Sequence, residues 1–321
     1  MLKPTLLFCC LPVLAIVLVG VSCSARPAAA QPSPQWQLCT DKGQVEPDRR
    51  VAACTAVIES GRETKHDQAV ALTTRGTAYY RKRDLDRAIA DYSEAIRLDP
   101  NYALPFANRG RMYVAKGDRA RGIPDFTEAI RLDPKDGHFF SDRGNAYYGT
   151  GERDRAIADY NEAIRLDPKL VLPFWNRGVA DLDAGALAQA VADFSRASEL
   201  DPKDAYAALW LEIANKRSKL PSRLALQIAQ LDMTNWPAPV VRLYLGQMTP
   251  QATLAAAADA DAATEKGQTC EANFYGGELA LLQGAKDEAT RLFRLAVSGC
   301  PRHYVEFVVA NTELKTLGVT P

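Results

Sequence analysis

The apolar and polar positions of this chain repeat every 34 residues between residues 69 and 204. Four units follow one another without an insertion: 69–102, 103–136, 137–170 and 171–204. Each unit has small residues at positions 8, 20 and 27, an aromatic residue at position 24, and Asp-Pro at its end. A period of this length, with small and aromatic residues at constant offsets, predicts a solenoid of antiparallel helix pairs.

Each constant position has a physical use in such a helix pair. Small residues let the two helices approach, aromatic residues fill the seam between repeats, and proline ends the second helix. Position 8 is Gly76, Gly110, Gly144 and Gly178, and position 24 is Tyr92, Phe126, Tyr160 and Phe194. The second unit differs, because Gly122 and Pro124 fall early in its second helix. We expect that helix to start late or bend.

These positions resemble the tetratricopeptide repeat (TPR) family. The resemblance implies an all-α fold, a right-handed TPR superhelical solenoid of antiparallel helix pairs with a C-terminal capping helix. The same register returns at 270–303, where Gly277, Ala289, Phe293 and Pro301 occupy positions 8, 20, 24 and 32. The expected organisation is a segment 1–30, a Pro-rich lead-in and N-terminal helix at 31–68, four repeats at 69–204, degenerate helical hairpins at 205–269, a fifth repeat at 270–303, and a capping helix with its tail at 304–321.

The degenerate region between 205 and 269 lacks the simple pattern, so its helices are predicted from local punctuation. Helices are expected at 205–219, 223–232 and 238–245, separated by Pro221 and Trp236-Pro237. Thr249 before Pro250 is typical of an N-cap followed by proline at the first helical position. That helix is expected to continue through the Ala-rich run to about residue 264.

Charged residues also recur inside the repeats. Position 7 is always arginine and position 23 is always aspartate. A recurring, partly buried guanidinium needs an acceptor nearby, so we expect an ion-pair ladder within a repeat or across to its neighbour. The expected members are Arg75, Asp91, Arg109, Asp125, Arg143, Asp159, Arg177 and Asp193. The alternative is that the arginines form a ligand-binding row.

The first thirty residues have the features of an export signal. Lys3 precedes an apolar run from Leu6 to Val21, and Ala28-Ala29-Ala30 follows. This order predicts a signal peptide cleaved after Ala30 and a periplasmic location. Two alternatives remain open, a lipoprotein anchored through Cys23 and an uncleaved anchor.

Four of the seven cysteines lie outside this signal. An even number in an exported chain indicates structural disulfides. Cys39 and Cys54 would tie the lead-in to the first helix, although Cys54 could instead be a plain core residue. Cys270 and Cys300 occupy positions 1 and 31 of the fifth repeat, which antiparallel helices bring within bridging distance.

Protein binding is the function that the sequence favours over nucleic-acid binding and catalysis. The formal net charge is zero, which gives no support for nucleic-acid binding. The three histidines are scattered and the chain has no metalloprotease, phosphate-loop or nucleophile-elbow motif, so we expect no enzyme activity, cofactor or metal site. Asp259 and Asp261 are explained as a solvated helix face.

A TPR array presents the first helix of each repeat along a concave surface. Helical spacing places positions 2, 5, 9 and 12 on that face. The expected protein-binding groove is Tyr80, Arg111, His138, Asn145, Tyr148 and Trp175, since arginine, tyrosine and tryptophan dominate interface energies. This choice assumes that the aromatic side chains are exposed.

The last third of the chain also resembles the bacterial NlpI family. The matching segments, in order, are Ala208-Leu209-Trp210-Leu211, Val241–Gly246, Asn273–Gly277, Leu292–Val297 and Tyr304–Phe307. The resemblance implies a periplasmic TPR adaptor, often dimeric, that brings cell-wall hydrolases together with a processing protease. The expected partners are therefore proteins or peptides, with a homodimer possible. The alternative is a self-associating structural brace in an envelope complex.

Overall fold

The computed structural model describes residues 33–41 and 43–320, so the predicted signal peptide at 1–30 lies outside the described residues. Within this part the chain forms seventeen α-helices and no β-strand, which confirms the all-α prediction. The helices are α1 Pro34–Thr40, α2 Pro47–Ser60, α3 Lys65–Arg81, α4 Leu85–Leu98, α5 Ala103–Ala115, α6 Arg119–Leu132, α7 Gly137–Gly149, α8 Arg153–Leu166, α9 Val171–Asp183, α10 Leu187–Leu200, α11 Ala205–Arg217, α12 Leu224–Gln227, α13 Ala238–Tyr244, α14 Pro250–Ala255, α15 Ala262–Leu282, α16 Lys286–Gly299 and α17 Val305–Thr316.

The helices of each repeat are held together by a glycine beneath an aromatic ring. A Cβ atom added to Gly144 would lie 2.6 Å from the Tyr160 ring, and one added to Gly76 would lie 2.7 Å from the Tyr92 ring. Both tyrosine side chains are fully buried. Glycine at position 8 therefore sets how closely α3 and α7 approach their partners α4 and α8.

The unusual second helix of the second repeat keeps the regular boundaries. α6 has 14 residues and follows the N-cap Asp118, just as α4 has 14 residues and follows the N-cap Asp84. The predicted late start is therefore wrong. Pro124 lies early in α6, where a missing N–H removes a single intrahelical bond near the helix start. Gly122 faces the Gly110 carbonyl oxygen, which would be 3.0 Å from an added Cβ, so glycine suits a close helix contact here.

Two predicted helices of the region 205–269 are much shorter in the structure. α12 covers only four residues and the chain then turns, so the helix predicted at 223–232 is wrong. α14 ends at Ala255 instead of continuing to residue 264. Thr249 does cap α14 by accepting a hydrogen bond from the Ala252 amide.

Aspartates in a loop begin the next helix. The Asp261 side chain accepts a hydrogen bond from the Thr264 amide and starts the 21-residue α15, eight residues before the predicted fifth repeat. Asp259 accepts from the Asp261 amide. These aspartates are therefore loop and cap residues, and the prediction of a solvated helix face is wrong.

The C-terminal helices fold back against the repeats instead of continuing only as an open spiral. Trp210 of α11 is fully buried between Phe194 of α10 and Phe274 and Tyr275 of α15. Farther away along the chain, the Arg119 guanidinium donates to the backbone carbonyl of Arg302 at 2.6 Å. The region after α10 therefore packs against the ends of the first repeats. Among the helices that the structure describes, none combines the length and apolar character needed to cross a membrane.

Candidate functional site

Each position-7 arginine lies beside the position-23 aspartate of its own repeat. Arg143 donates from Nε and Nη2 to the two carboxylate oxygens of Asp159, both at 2.8 Å. The same two-bond geometry joins the other pairs, Arg75–Asp91, Arg109–Asp125 and Arg177–Asp193. The four aspartates are buried, with exposures of 6–7%. The charge-assisted hydrogen bonds from the arginines supply the donors that these buried carboxylates require.

The remaining guanidinium nitrogen reaches back to the preceding repeat. Arg109 Nη1 donates to Ser93 at 3.1 Å, and Arg75 Nη1 donates to Thr55 of α2 at 3.0 Å. One arginine thus links the helices of its own repeat and connects that repeat to the helix before it. With their hydrogen bonds directed inside the solenoid, these side chains are poorly placed to form a ligand-binding row.

Four cysteines of the described chain form two disulfides. Cys39 joins Cys54 and Cys270 joins Cys300, each with a Cα–Cα separation of 4.8 Å. The first bond ties α1 to α2, and the second ties the middle of α15 to the residue after α16. Disulfides of this kind are typical of proteins in oxidising compartments.

Two aromatic residues expected in an exposed groove are covered. Tyr148 is only 8% exposed and lines a cavity of about 420 Å³ together with Phe307 and Val308 of α17. Trp175 packs edge to face on Trp210, with ring centroids 5.7 Å apart. The expectation of an exposed side chain is wrong for Tyr148, whereas Trp175 is partly buried. Trp175 is covered by the stacking of successive first helices, because Trp210 lies 35 residues later on α11, which follows α9 in the array. Tyr148 lies near Asp183 of α9, the first helix of the following repeat.

Two polar residues of the expected groove have partners inside the fold. The Asn145 side-chain oxygen accepts a hydrogen bond from the Tyr160 hydroxyl at 2.9 Å. Arg111 pairs with Asp142 of the next repeat at 2.6 Å and keeps 38% of its side chain exposed. Burial raises the pKa of Asp142, while Arg111 opposes that effect. Arg111 can therefore still contact a ligand, whereas Asn145 orients a core tyrosine.

The beginnings of the first helices stay open. Position 2 is occupied by Leu104, which is 39% exposed, His138, which is exposed, and Leu172, which is 61% exposed. We call Leu104, Arg111, His138 and Leu172 the open strip. At the other ends of these helices, Leu182 is buried and Tyr80 is 48% exposed at the edge of a cavity. The concave face is thus divided into an open edge and an edge covered by C-terminal residues.

Sequence reasoning missed a group of buried glutamates in the C-terminal region. Arg217 of α11 donates to both Glu278 of α15 and Glu313 of α17, at 2.6 and 2.7 Å. One heptad earlier on the same two helices lie Glu271 and Glu306, which are 8% and 5% exposed. Burial raises the pKa of Glu306 to about 8, with a further contribution from the Glu271 charge. The available sequence signal was the seven-residue spacing of both glutamate pairs.

No set of three or more His, Cys, Asp or Glu residues in the described part of the chain has an arrangement that could hold a metal ion. The side-chain groups that the structure does bring together are suited to recognition through apolar, aromatic and charged contacts.

Comparison with known proteins gives matches inside the repeats and among solved structures. A family model described as TPR repeat matches residues 76–117 and 144–183, and one described as tetratricopeptide repeat matches residues 106–136. The structure of pilF from Pseudomonas aeruginosa is 17% identical, with a TM-score of 0.48 over 78% of this chain and 98% of pilF. YrrB, described as a TPR protein with an unusual peptide-binding site, is 21% identical, with a TM-score of 0.45 over 62% of this chain and all of YrrB (100%). MamA is 22% identical, with a TM-score of 0.44 over 50% of this chain and 91% of MamA.

Proposed function

We propose that this chain, which carries tetratricopeptide repeats between residues 76 and 183, is a non-enzymatic adaptor that binds protein segments at the bacterial cell envelope. The observation that carries the proposal is the open strip. Leu104 and Leu172 expose large apolar side chains at equivalent positions of a rigid repeat array, with Arg111 and His138 between them. An apolar row with polar neighbours is suited to an extended or helical segment of a partner.

The envelope location is supported by the signal-like segment and by the cysteines. Residues 1–30 have the order of charged, apolar and small residues that directs export. Two disulfides tie both ends of the described chain, which is the use expected of cysteines after export into an oxidising periplasm. Anchoring through a lipidated Cys23 is the alternative to release after cleavage at Ala30.

The resemblance of the last third to the NlpI family makes the proposal more specific. It suggests that the partners include cell-wall hydrolases and a processing protease, brought together on one scaffold. The resembling segments contribute Trp210, Tyr244, Tyr275 and Phe293 to one continuous core. This core gives the adaptor a rigid C-terminal region against which the repeats are held.

The test is affinity capture from bacterial envelope extract followed by mass spectrometry. The variant Leu104→Ser/Leu172→Ser alters the open strip. A matched variant, Leu226→Ser/Leu295→Ser, removes two leucines that are similarly exposed, at 81% and 42%, on α12 and α16. We expect partners of the wild-type protein to be lost from the strip variant and kept by the matched variant.

Equal capture by all three proteins would overturn the assignment of the open strip. Static light scattering of the same samples addresses the structural alternative. A self-associating brace would form an oligomer without any captured partner, and its assembly would be independent of the extract.

A further inference from the structure

A cavity of about 480 Å³ lies between the covered edge of the repeats and the C-terminal helices. Its aromatic wall includes Tyr80 at the end of α3, Tyr206 of α11, Trp236 before α13 and Tyr304 before α17. Glu271 of α15 also faces this cavity. Four aromatic side chains from separate elements therefore surround one carboxylate.

The Glu271 carboxylate is held firmly on one side only. Its Oε2 atom accepts from the Tyr206 hydroxyl at 2.9 Å and from the Trp236 indole nitrogen at 2.7 Å. Its Oε1 atom accepts no hydrogen bond from the residues that the structure describes. Glu271 thus has a fixed orientation and a remaining acceptor at the cavity wall.

The neighbouring pair of buried glutamates is neutralised by an arginine. Glu278 and Glu313, one heptad farther along α15 and α17, share the guanidinium of Arg217. No arginine or lysine in the described chain forms an ion pair with Glu271 or Glu306. Burial raises the pKa of Glu306 to about 8, so that group keeps its proton at neutral pH and Glu271 is the carboxylate left without a cation. A buried carboxylate without a cation is costly, and the cost falls when a positive group enters.

The two basic side chains that line the cavity do not neutralise Glu271. Arg83 also lines it, but its guanidinium is held by Asp261 at 3.0 Å. Burial and the nearby Arg119 lower the pKa of His303, so that histidine is neutral at pH 7. Aromatic faces attract cations through their quadrupoles, and ammonium groups are often bound by several such rings.

We infer that this cavity binds an alkylammonium group, held by the aromatic side chains of Tyr80, Tyr206, Trp236 and Tyr304 with its charge on Glu271. If a protein partner brings the ammonium group on a lysine side chain, the inference rests on the adaptor function proposed above. A free small amine has the same chemistry and is the other source.

Isothermal titration calorimetry on the full chain tests this assignment with three probes. Nα-acetyl-lysine-N-methylamide represents a lysine in a protein, butylammonium represents a free amine, and Nα,Nε-diacetyl-lysine-N-methylamide is the neutral control. We expect the two charged probes to bind and the neutral probe to bind at least about tenfold more weakly. Binding of butylammonium alone would assign the site to small amines.

Two substitutions locate the binding on the cavity. Glu271→Gln keeps the shape and removes the charge, and should weaken binding about tenfold or more. Glu265→Gln removes an exposed carboxylate from the same helix and should leave binding unchanged. Tyr80→Ala removes a half-exposed residue of the cavity wall without disturbing the core. It should also weaken binding of the charged probes, and it tests the site if Glu271→Gln fails to fold.

The assignment is overturned if neither charged probe binds at about 10 mM, if the neutral probe binds as well as the charged ones, or if Tyr80→Ala and a folded Glu271→Gln bind as the wild type does. These outcomes are independent of the adaptor function, because no partner is present. Loss of captured proteins from the strip variant with no amine binding would retain the adaptor and remove only the cavity assignment.

Discussion

The arginine–aspartate ladder makes a quantitative prediction in the third repeat, where a buried and an exposed pair can be compared. Arg143 and Asp159 are 19% and 9% exposed at their side chains, whereas Arg165 and Glu162 are 66% and 34% exposed. Both pairs have two hydrogen bonds of 2.6–2.8 Å. The two pairs differ in burial and in span, because Arg143–Asp159 joins α7 to α8 whereas Arg165–Glu162 lies within α8.

Replacing Arg143 by alanine leaves Asp159 buried without its counter-charge. A buried pair broken on one side typically costs about 3–5 kcal/mol, and the partial exposure of Arg143 reduces this to about 2–3 kcal/mol. Since 1 kcal/mol shifts the melting temperature of a domain this large by about 2–4 °C, Arg143→Ala should lower it by several degrees. Part of that loss should be recovered when Asp159→Ala is added, because no unpaired carboxylate then remains.

The assay is a double-mutant cycle by urea unfolding followed by circular dichroism. The cycle for Arg143→Ala and Asp159→Ala should give a coupling free energy of about 2 kcal/mol. The matched cycle for Arg165→Ala and Glu162→Ala should give a coupling close to zero, because exposed pairs are screened by solvent. Equal coupling in the two cycles would refute the ladder, as would an Arg143→Ala protein that keeps its stability but loses partner binding.

Three further predictions follow from burial, cysteine pairing and close helix packing. Gly144→Ala places a Cβ 2.6 Å from the Tyr160 ring and should lower the free energy of unfolding, measured by chemical denaturation, by about 1–3 kcal/mol. Gly299→Ala is the control, because no atom lies within 4 Å of its added Cβ, and it should leave stability unchanged or slightly raised. Equal effects of the two substitutions would contradict the packing account. Alkylation of the unfolded, unreduced mature protein followed by mass spectrometry should find no free thiol at Cys39, Cys54, Cys270 or Cys300, and four modified thiols would disprove both disulfides. Burial raises the pKa of Glu306 from its ordinary value of 4.5 to about 8. Between these two pH values the folded state therefore holds a proton that the unfolded state releases. Proton binding by Glu306 contributes fully to the free energy of unfolding below about pH 4.5, and this contribution is lost as the pH rises to about 8. Glu306→Gln should make the melting temperature less dependent on pH in that window, and an unchanged slope would show that Glu306 does not titrate there.

The repeats could be predicted because each rests on contacts between residues at constant sequence separation. Arg143 and Asp159 are 16 residues apart, as are Gly144 and Tyr160, so the 34-residue register is sufficient to pair them. The register also brings Cys270 near Cys300, although α15 starts earlier than expected. Packing between residues at a constant separation can therefore be predicted from the sequence.

The covered edge of the concave face could not be predicted in this way. Tyr148 lines a cavity together with Phe307 and Val308 of α17, which lies more than 150 residues later in the chain. Such contacts depend on how the irregular region from α11 to α14 turns the chain back, and no periodic pattern encodes that turn. Trp175 has a different cause, because it packs on Trp210 of α11, the next first helix of the array. The exposed leucines at position 2 belong to the regular repeats.

The central claim is that the chain binds protein segments through the open strip. The most direct measurement is a fluorescence-anisotropy titration of a labelled partner segment, obtained from the envelope capture, against three proteins: wild type, Leu104→Ser/Leu172→Ser and Leu226→Ser/Leu295→Ser. We predict that the strip variant binds at least about tenfold more weakly, a loss of about 1.4 kcal/mol, and that the matched variant binds as the wild type does. Equal affinity for all three proteins, with their folds intact, would contradict the claim.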